Sequence, residues 1–430
     1  MRKRYLREKR TMREKRPVKE MTKSYIQRLN AEKVLEDLYL LVMAVFVSYM
    51  FLGTTQVAVN WPDQFYNKMM TALLGLVLAR ICFSKQYSLQ ETITAVLVSA
   101  VLYYASKMNG YSELYYLMIM ILGAKGISAK KLIKVYFSVT VTLLIYTIVS
   151  SLLGYTENLV YYQENRRARM ALGTVYPTDL SAHVFYSTLC YVFIRDEKIR
   201  WFDVAGIVIV AILTFLTTDA RMNFLCTLLF AAGLIIYLFY KRKTADEDGR
   251  VELPGWISYI FVLLPVLCAG VMITLTTFYT PDFAPFRLLN RILNNRLYYG
   301  KLGVDVYGFS RWGQYIEMMG NGGSTAKKSF YFFLDCSYVS GLLRWGGIAF
   351  AVILIMMLML SAKARMEKKW VYLWIFVIIS VQCIIEHHLI ETAYNPFFWL
   401  FLAQWQEKGS RTSGLMQSIR RSNRQKWRLR

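Results

Sequence analysis

Residues 125–153 read KGISAKKLIKVYFSVTVTLLIYTIVSSLL. Lys125, Lys130, Lys131 and Lys134 crowd its start, and no charged residue follows from Val135 to Leu153. An uncharged run of that length carries a helix across the hydrocarbon core of a bilayer, which takes about 20 residues. Lysines at one end and none at the other orient it, because cytoplasmic flanks collect Lys and Arg. The same alternation recurs outward from this stretch. Arg195, Lys198 and Arg200, then Lys241, Arg242 and Lys243, then Arg365, Lys368 and Lys369 mark loops expected in the cytoplasm. Asn60–Gln64 and Glu386–Glu391, expected on the other side, hold neither Lys nor Arg.

Composition agrees: 56% of residues are hydrophobic and 15% aromatic, while 19% are charged. The expected fold is an all-α polytopic membrane protein with about twelve transmembrane helices. The first is Leu38–Val57 and the last Tyr394–Trp405, and one long extracytoplasmic loop separates spans nine and ten. A single transmembrane domain over 35–405 would carry external loops 154–179 and 279–337, between basic tails 1–34 and 406–430. Tyr111–Ala124 and Tyr394–Trp405 are short for a crossing at about 1.5 Å per residue. Keeping both leaves the two tails in the cytoplasm. The formal net charge of +24 does not mark a nucleic-acid binder here, because the basic residues sit at the termini and beside spans, where anionic lipid attracts them. The first apolar run starts late and is long, which reads as a signal anchor and not a cleavable leader. Six cysteines without paired spacing imply neither disulfides nor zinc.

Three stretches break the charge rule. Arg166, Arg167 and Arg169 lie on an outward loop, followed by Gly173, Tyr176, Pro177, Asp179, Ser181 and His183. Thr218-Asp219-Ala220-Arg221 forms a tight outward turn. The long loop carries Arg287, Asn290, Arg291, Arg296, Arg311 and Gln314, and closes on Asp335-Cys336-Ser337-Tyr338. Within it, Phe286, Leu288, Leu289, Ile292 and Leu293 have the spacing of a short amphipathic helix on the membrane surface. Arginine stays protonated and offers a planar fork that fits phosphate bidentately. Such residues on the outer face point to a large anionic ligand. The Glu386-His387-His388-Leu389-Ile390-Glu391 cluster matches no standard metal-ligand spacing, so it reads as a polar rim and no metal is expected. Neither a Walker loop nor a Gly-rich dinucleotide fingerprint is present, so no cofactor is implied.

Taken in order, Ile121–Lys125, Arg169 through Gly173 to Tyr176–Asp179, Thr218–Arg221, Leu289–Arg296, Tyr307–Phe309, Gly313-Gln314 and Asp335–Tyr338 resemble the Wzy-type oligosaccharide repeat-unit polymerases. These belong to the O-antigen ligase and polymerase superfamily, here in its Gram-positive capsule and exopolysaccharide form. The resemblance covers most of the chain after about Ile121, by the order of loose motifs. It implies a metal-independent glycosyltransferase on the outer face of the bacterial plasma membrane, with both termini cytoplasmic. Donor and acceptor would be undecaprenyl-diphosphate-linked oligosaccharides, and undecaprenyl diphosphate would be released. Membrane lipid, a flippase and a chain-length regulator are the implied partners, and nucleic acid is not.

Under that reading Asp335, Arg296 and Arg169 are the expected catalytic residues. Substrate binding would fall to Arg166, Arg167, Tyr176, His183, Asp219, Arg221, Asn290, Arg291, Gln314 and Tyr338. Preorganised cations stabilise the charge that develops on the departing diphosphate, and Asp335, Asp219 or His183 would serve the acceptor hydroxyl as base or orienter. Two alternatives share these features: a ligase that moves the finished glycan to another acceptor, and a flippase or exporter of lipid-linked oligosaccharide. A transporter should show internal repeats and mid-bilayer charges, and the chain shows neither pattern.

Overall fold

Among the described residues thirteen α-helices follow from the apolar runs and their breakers. The computed structural model describes residues 31–57, 63–84, 86–162, 166–244, 252–320, 325 and 331–405. Most of both basic tails and the 245–251 part of one basic loop lie outside these residues. Helix α1 is Ala31–Leu52, so residues 31–34, expected in the tail, already belong to it. Then come α2 (Asp63–Ser84), α3 (Leu89–Asn109), α4 (Glu113–Gly123) and α5 (Ala129–Leu152). A two-stranded hairpin, β1 (Val160–Tyr161) with β2 (Arg169–Met170), precedes α6 (Pro177–Arg195), α7 (Trp201–Thr218), α8 (Arg221–Thr244) and α9 (Gly255–Thr277). The long loop holds α10 (Ala284–Ile292) and α11 (Arg296–Tyr307), and α12 (Ser337–Met366) and α13 (Trp370–Gln382) close the bundle.

Seven of the described helices are long and apolar enough to cross a membrane: those over Ala31–Leu52, Asn67–Ser84, Ala129–Leu152, Trp201–Thr218, Arg221–Lys243, Gly255–Thr277 and Ser337–Met366. This is the build of a multi-pass membrane protein. Ile209, Leu213 and Leu216 of α7 and Tyr259, Leu263 and Val271 of α9 are exposed, as lipid-facing residues must be. Helix α6 packs differently. Its Leu180, Phe185, Tyr186, Leu189 and Phe193 are buried, so it is surrounded by protein and can carry the polar Asp179, Ser181 and His183 along its length.

Polar contacts define two ends. Lys130 and Lys369 meet Asp196 at the lysine end. The hairpin, α10 and α11 lie at the other, the arginine end. Arg80, inside the α2 run, is buried and donates to the carbonyls of Gly123, the last residue of α4, and of Lys125 just beyond it. Helix α4 has 11 residues, about 16 Å by helical rise, and a side-chain cap at its end compensates for carbonyls that lack intrahelical partners.

Tyr394–Trp405, expected as a last helix, folds otherwise. It is a turn followed by a 3-10 helix over Phe397–Phe401. The cause is local: the Asn395 side chain donates to Leu389 O and accepts from the Phe397 amide, and Pro396 removes a helical donor. The segment still returns to the lysine end, where Ala129 donates to Gln404 O at 2.8 Å and Gln404 to Ile127 O at 2.8 Å.

Helix α12 is kinked at Gly346, where φ is +79°. A Cβ there would run into Gly313 N and the carbonyl of Arg311. The bases of the break are satisfied by the loop: Gln314 donates to Arg344 O at 3.0 Å and Gly347 to Ser310 O at 2.9 Å. The kink ties residues 310–314 to the first turns of α12, and those turns carry the site.

Candidate active site

The loop between α5 and α6 becomes ordered through its hairpin, in which Tyr161 pairs with Arg169. Asn158 accepts from the Leu172 amide at 2.8 Å, and Tyr161 donates to Val175 O at 2.8 Å. Gly173 follows at φ +85°, where a Cβ would stand 2.8 Å from Thr147 O. This turn presents the arginines to the α7–α8 corner. Arg166 Nε lies 2.7 Å from Asp219 Oδ2, and its Nη2 donates to Asp219 O at 2.8 Å. Arg169 Nε donates to Thr218 O at 3.0 Å. Arg221 is 3.7 Å from the other Asp219 oxygen, and Arg167 covers the Phe215 ring at 5.2 Å. Asp219 itself sits at φ 46°, a left-handed cap that Asp tolerates better than most residues. Two of the sequence stretches are thus one cationic mouth.

The third joins a buried cluster beside it. Arg296 begins α11, donates from Nε to Ile385 O at 2.9 Å, and pairs through Nη1 with Asp335 Oδ2 at 2.9 Å. Asp335 Oδ1 lies 3.9 Å from His387 Nδ1. His387 Nε2 lies 3.3 Å from Glu391 Oε1, and His388 Nδ1 bonds Glu391 Oε2 at 3.0 Å. The far side of His388, its Nε2, is 3.9 Å from Glu386 Oε2. Arg344, on the first half of α12, is 3.6 Å from Glu113 and covers Tyr111 at 4.6 Å. Ser337 holds the segment in place by donating to Glu386 O from both its amide and its hydroxyl.

Burial governs the protonation of this cluster, since desolvation disfavours the charged form of any group. It raises Asp335, with the Arg296 charge opposing, and lifts Glu386 to about 7, with Arg296 opposing. It pushes His387 down to about 4 and His388 to about 3. Both imidazoles are therefore neutral over the physiological range. Burial also lowers Arg169, while Asp219 and Glu386 support its charge, so the arginine mouth and the buried cluster share one electrostatic field.

Other expected site residues have structural duties. His183 is buried, bonds Thr54 Oγ1 at 2.8 Å and lies 4.3 Å, ring to ring, from Tyr394. Asn290 donates to Asn295 Oδ1 and accepts from the Tyr298 amide, bracing the α10–α11 turn. Gln314 donates to Gly308 O at 2.8 Å, and Tyr338 to Ser380 O at 2.8 Å. Tyr176 caps α6, its amide donating to Asp179, with its ring 5.8 Å from Tyr161. Arg291 is exposed on α10. The sequence pattern presents Glu386–Glu391 as a rim and gives Arg344 no role. An arginine inside an apolar run was the available signal, because ionisable residues there are costly and often functional. Compared with known protein families, curated proteins and solved structures, the chain matches none.

Proposed function

We propose that this protein is a glycosyltransferase that polymerises undecaprenyl-diphosphate-linked oligosaccharide repeat units on the outer face of a bacterial plasma membrane. The observation that carries the reading is the placing of arginines from separate loops side by side at one end, Arg166, Arg169 and Arg221 around Asp219 and Arg296 on the neighbouring buried Asp335, opposite the lysines. By the charge rule the lysine end faces the cytoplasm, which puts this cluster outside. Both tails are then cytoplasmic, with the Tyr394–Trp405 return as the last passage across the bundle.

The chemistry follows from the arrangement. The bond between the donor's anomeric carbon and its phosphate oxygen breaks, and the electron pair leaves with undecaprenyl diphosphate. The acceptor hydroxyl oxygen forms the new glycosidic bond and gives up its proton. Arg166, Arg169 and Arg296 supply fixed positive charge where the leaving group becomes more negative, a contribution that costs no reorganisation during the step. Asp335, kept partly from water and held by Arg296, orients the acceptor and takes the proton. A transporter of the same lipid would need its charges along a central passage, whereas here the ion pairs gather at the two ends.

The decisive experiment supplies purified protein with lipid-linked repeat unit and no nucleotide. A glycan ladder supports the reading, and unchanged single repeats under conditions that keep the protein folded refute it. Topology has its own check in a cysteine-free background. An impermeant thiol reagent should label Thr325→Cys from outside and leave Ala245→Cys untouched, and the reverse pattern would invert the site.

A further inference from the structure

Glu391 holds two imidazoles at once, one with each carboxylate oxygen: His387 Nε2 at 3.3 Å and His388 Nδ1 at 3.0 Å. That fixes which nitrogens are left over. His387 Nδ1 and His388 Nε2 are buried atoms without a hydrogen-bond partner, and the His388 side chain is only 1% exposed. A buried ring nitrogen without a partner forfeits a hydrogen bond's worth of stability, so its persistence here asks for a ligand. Each faces a carboxylate at 3.9 Å: His388 Nε2 faces Glu386, and His387 Nδ1 faces Asp335. That separation is too long for a hydrogen bond. It is within a few tenths of an ångström of the spacing between tetrahedral ligands whose bonds to one ion are about 2.0–2.2 Å.

Charge gives a second, independent argument. Arg296 is paired with Asp335, Arg344 with Glu113 and Arg166 with Asp219. Among the described residues no Lys or Arg nitrogen comes within 4.0 Å of Glu386 or Glu391. Buried Glu386 and half-buried Glu391 thus touch imidazoles and no fixed cation, and buried charges are ordinarily paired or bound to metal. A doubly charged cation held by Glu386 and the two rings supplies the missing positive charge.

We propose that Glu386, His387 and His388, whose ligand atoms all lie within 4.8 Å of one another, bind a divalent transition-metal ion of the zinc class. Glu391 is the outer carboxylate that orients both histidines, the arrangement that metal-bound imidazoles ordinarily have. Two imidazoles and a carboxylate suit Zn²⁺ and its neighbours better than Mg²⁺ or Ca²⁺, which prefer all-oxygen shells. Three protein ligands leave a position open, and Asp335 lies 3.9 Å from the His387 Nδ1 ligand atom. The inference goes beyond the polymerase reading and departs from the metal-free chemistry expected from the sequence.

The test uses full-length protein in lipid nanodiscs, purified with a histidine-free tag, stripped with EDTA, dialysed, and titrated with Co²⁺ and Zn²⁺ alone. Stoichiometric Co²⁺ uptake with the visible absorption of a low-coordinate nitrogen and oxygen site, displaced by Zn²⁺, is expected. His388→Ala and Glu386→Gln should abolish it, and Glu391→Gln should weaken it about 10–100-fold. X-ray absorption of the Zn²⁺-loaded wild type needs no variant, and should show two imidazoles with oxygen and no sulfur. No uptake above the Glu386→Gln/His388→Ala baseline, or sulfur in the shell, overturns the proposal. Metal uptake and polymer formation are read separately. A protein that binds Co²⁺ yet makes no polymer refutes the polymerase reading alone, and a polymerase that binds none refutes the cation site alone.

Discussion

Two charged networks sit at opposite ends of the bundle. At the lysine end, Asp196 lies 3.0 Å from Lys369 and 3.4 Å from Lys130, and Glu197 lies 3.4 Å from Lys369. At the arginine end, Asp335 lies 2.9 Å from Arg296 and 3.9 Å from His387. Distances are alike, but the solvation of the partners differs. Around a buried Asp196, Lys130, Lys369 and Glu197 are 31%, 24% and 52% exposed, whereas Arg296 and Asp335 are 12% and 13% exposed. Water screens the first network, so its pairs add little. The second is held where an unpaired charge is expensive, and its positions are therefore constrained to a degree the first network's are not.

The strongest attempt to break this contrast is to remove one partner at the arginine end. We expect Arg296→Ala and Asp335→Asn each to leave single repeat units on the lipid carrier in place of polymer. The double variant should be no worse than either, because groups acting as a unit are not additive. Arg296→Ala should also cost about 3–5 kcal/mol of stability, since it strands a buried carboxylate. The double variant should recover part of that loss in thermal unfolding in detergent. Additive activity losses, or no recovery, would separate the two residues.

Next comes Arg169. Its replacement by Ala should lower turnover about 10²–10³-fold, the scale of losing one aligned transition-state donor, while the protein stays inserted and abundant. Arg169→Lys should restore only part, because a point charge lacks the planar fork. Normal ladder length in the Ala variant would remove Arg169 from the site. Smaller again is Gly346→Ala, which forces a Cβ against residues 311–313 from a left-handed conformation. We expect a loss of about 1–3 kcal/mol, read as a lower unfolding temperature, with ladder synthesis falling as Asp335 shifts.

The lysine end should give least. Lys369→Ala should change stability by less than about 1 kcal/mol, and less still in high salt. The carboxylates of Asp196 and Glu197 raise the Lys369 ammonium against the opposing effect of burial. Its contribution is therefore complete at neutral pH and is lost only as pH rises through the raised value. Unfolding midpoints of wild type and Lys369→Ala should converge in strong alkali and differ slightly at pH 7. A large neutral-pH effect would mean the two networks are less different than their exposure suggests.

The sequence makes one end of this contrast far more legible than the other. Val135–Leu153 behind its lysines becomes α5 (Ala129–Leu152), and the amphipathic spacing from Phe286 to Leu293 becomes α10. Those readings need only local periodicity and charge. Arg296 and Asp335 could be singled out as acidic and basic residues in an outward loop, and they meet. The burial of Glu386–Glu391 could not be read in the same way. It depends on the Gly346 kink, on Ser337 gripping Glu386 O, and on the packing of Phe333 5.2 Å from His387, all contacts between residues distant in sequence. Tyr394–Trp405 misleads for a related reason. Its apolar content suits a span, but the Asn395-Pro396 pair inside it controls the backbone.

That last segment also bears on how the protein is made. A stretch without a continuous helix cannot satisfy its own polar groups in lipid, so its partners must be waiting. They are: Tyr136 donates to Ala393 O and Tyr394 O, Lys363 to Ala403 O, and Ile127 and Ala129 bind Gln404. Those residues belong to α5, to α12 and to the loop before α5, all synthesised earlier. The insertion machinery can release the earlier helices one by one, but the C-terminal stretch enters only a bundle already assembled. Its arrival is then the event that delivers Glu386, His387 and His388 to the site, so a chain caught halfway through biogenesis carries the arginine pairs with Asp219 and Asp335 but not the histidine cluster beside them.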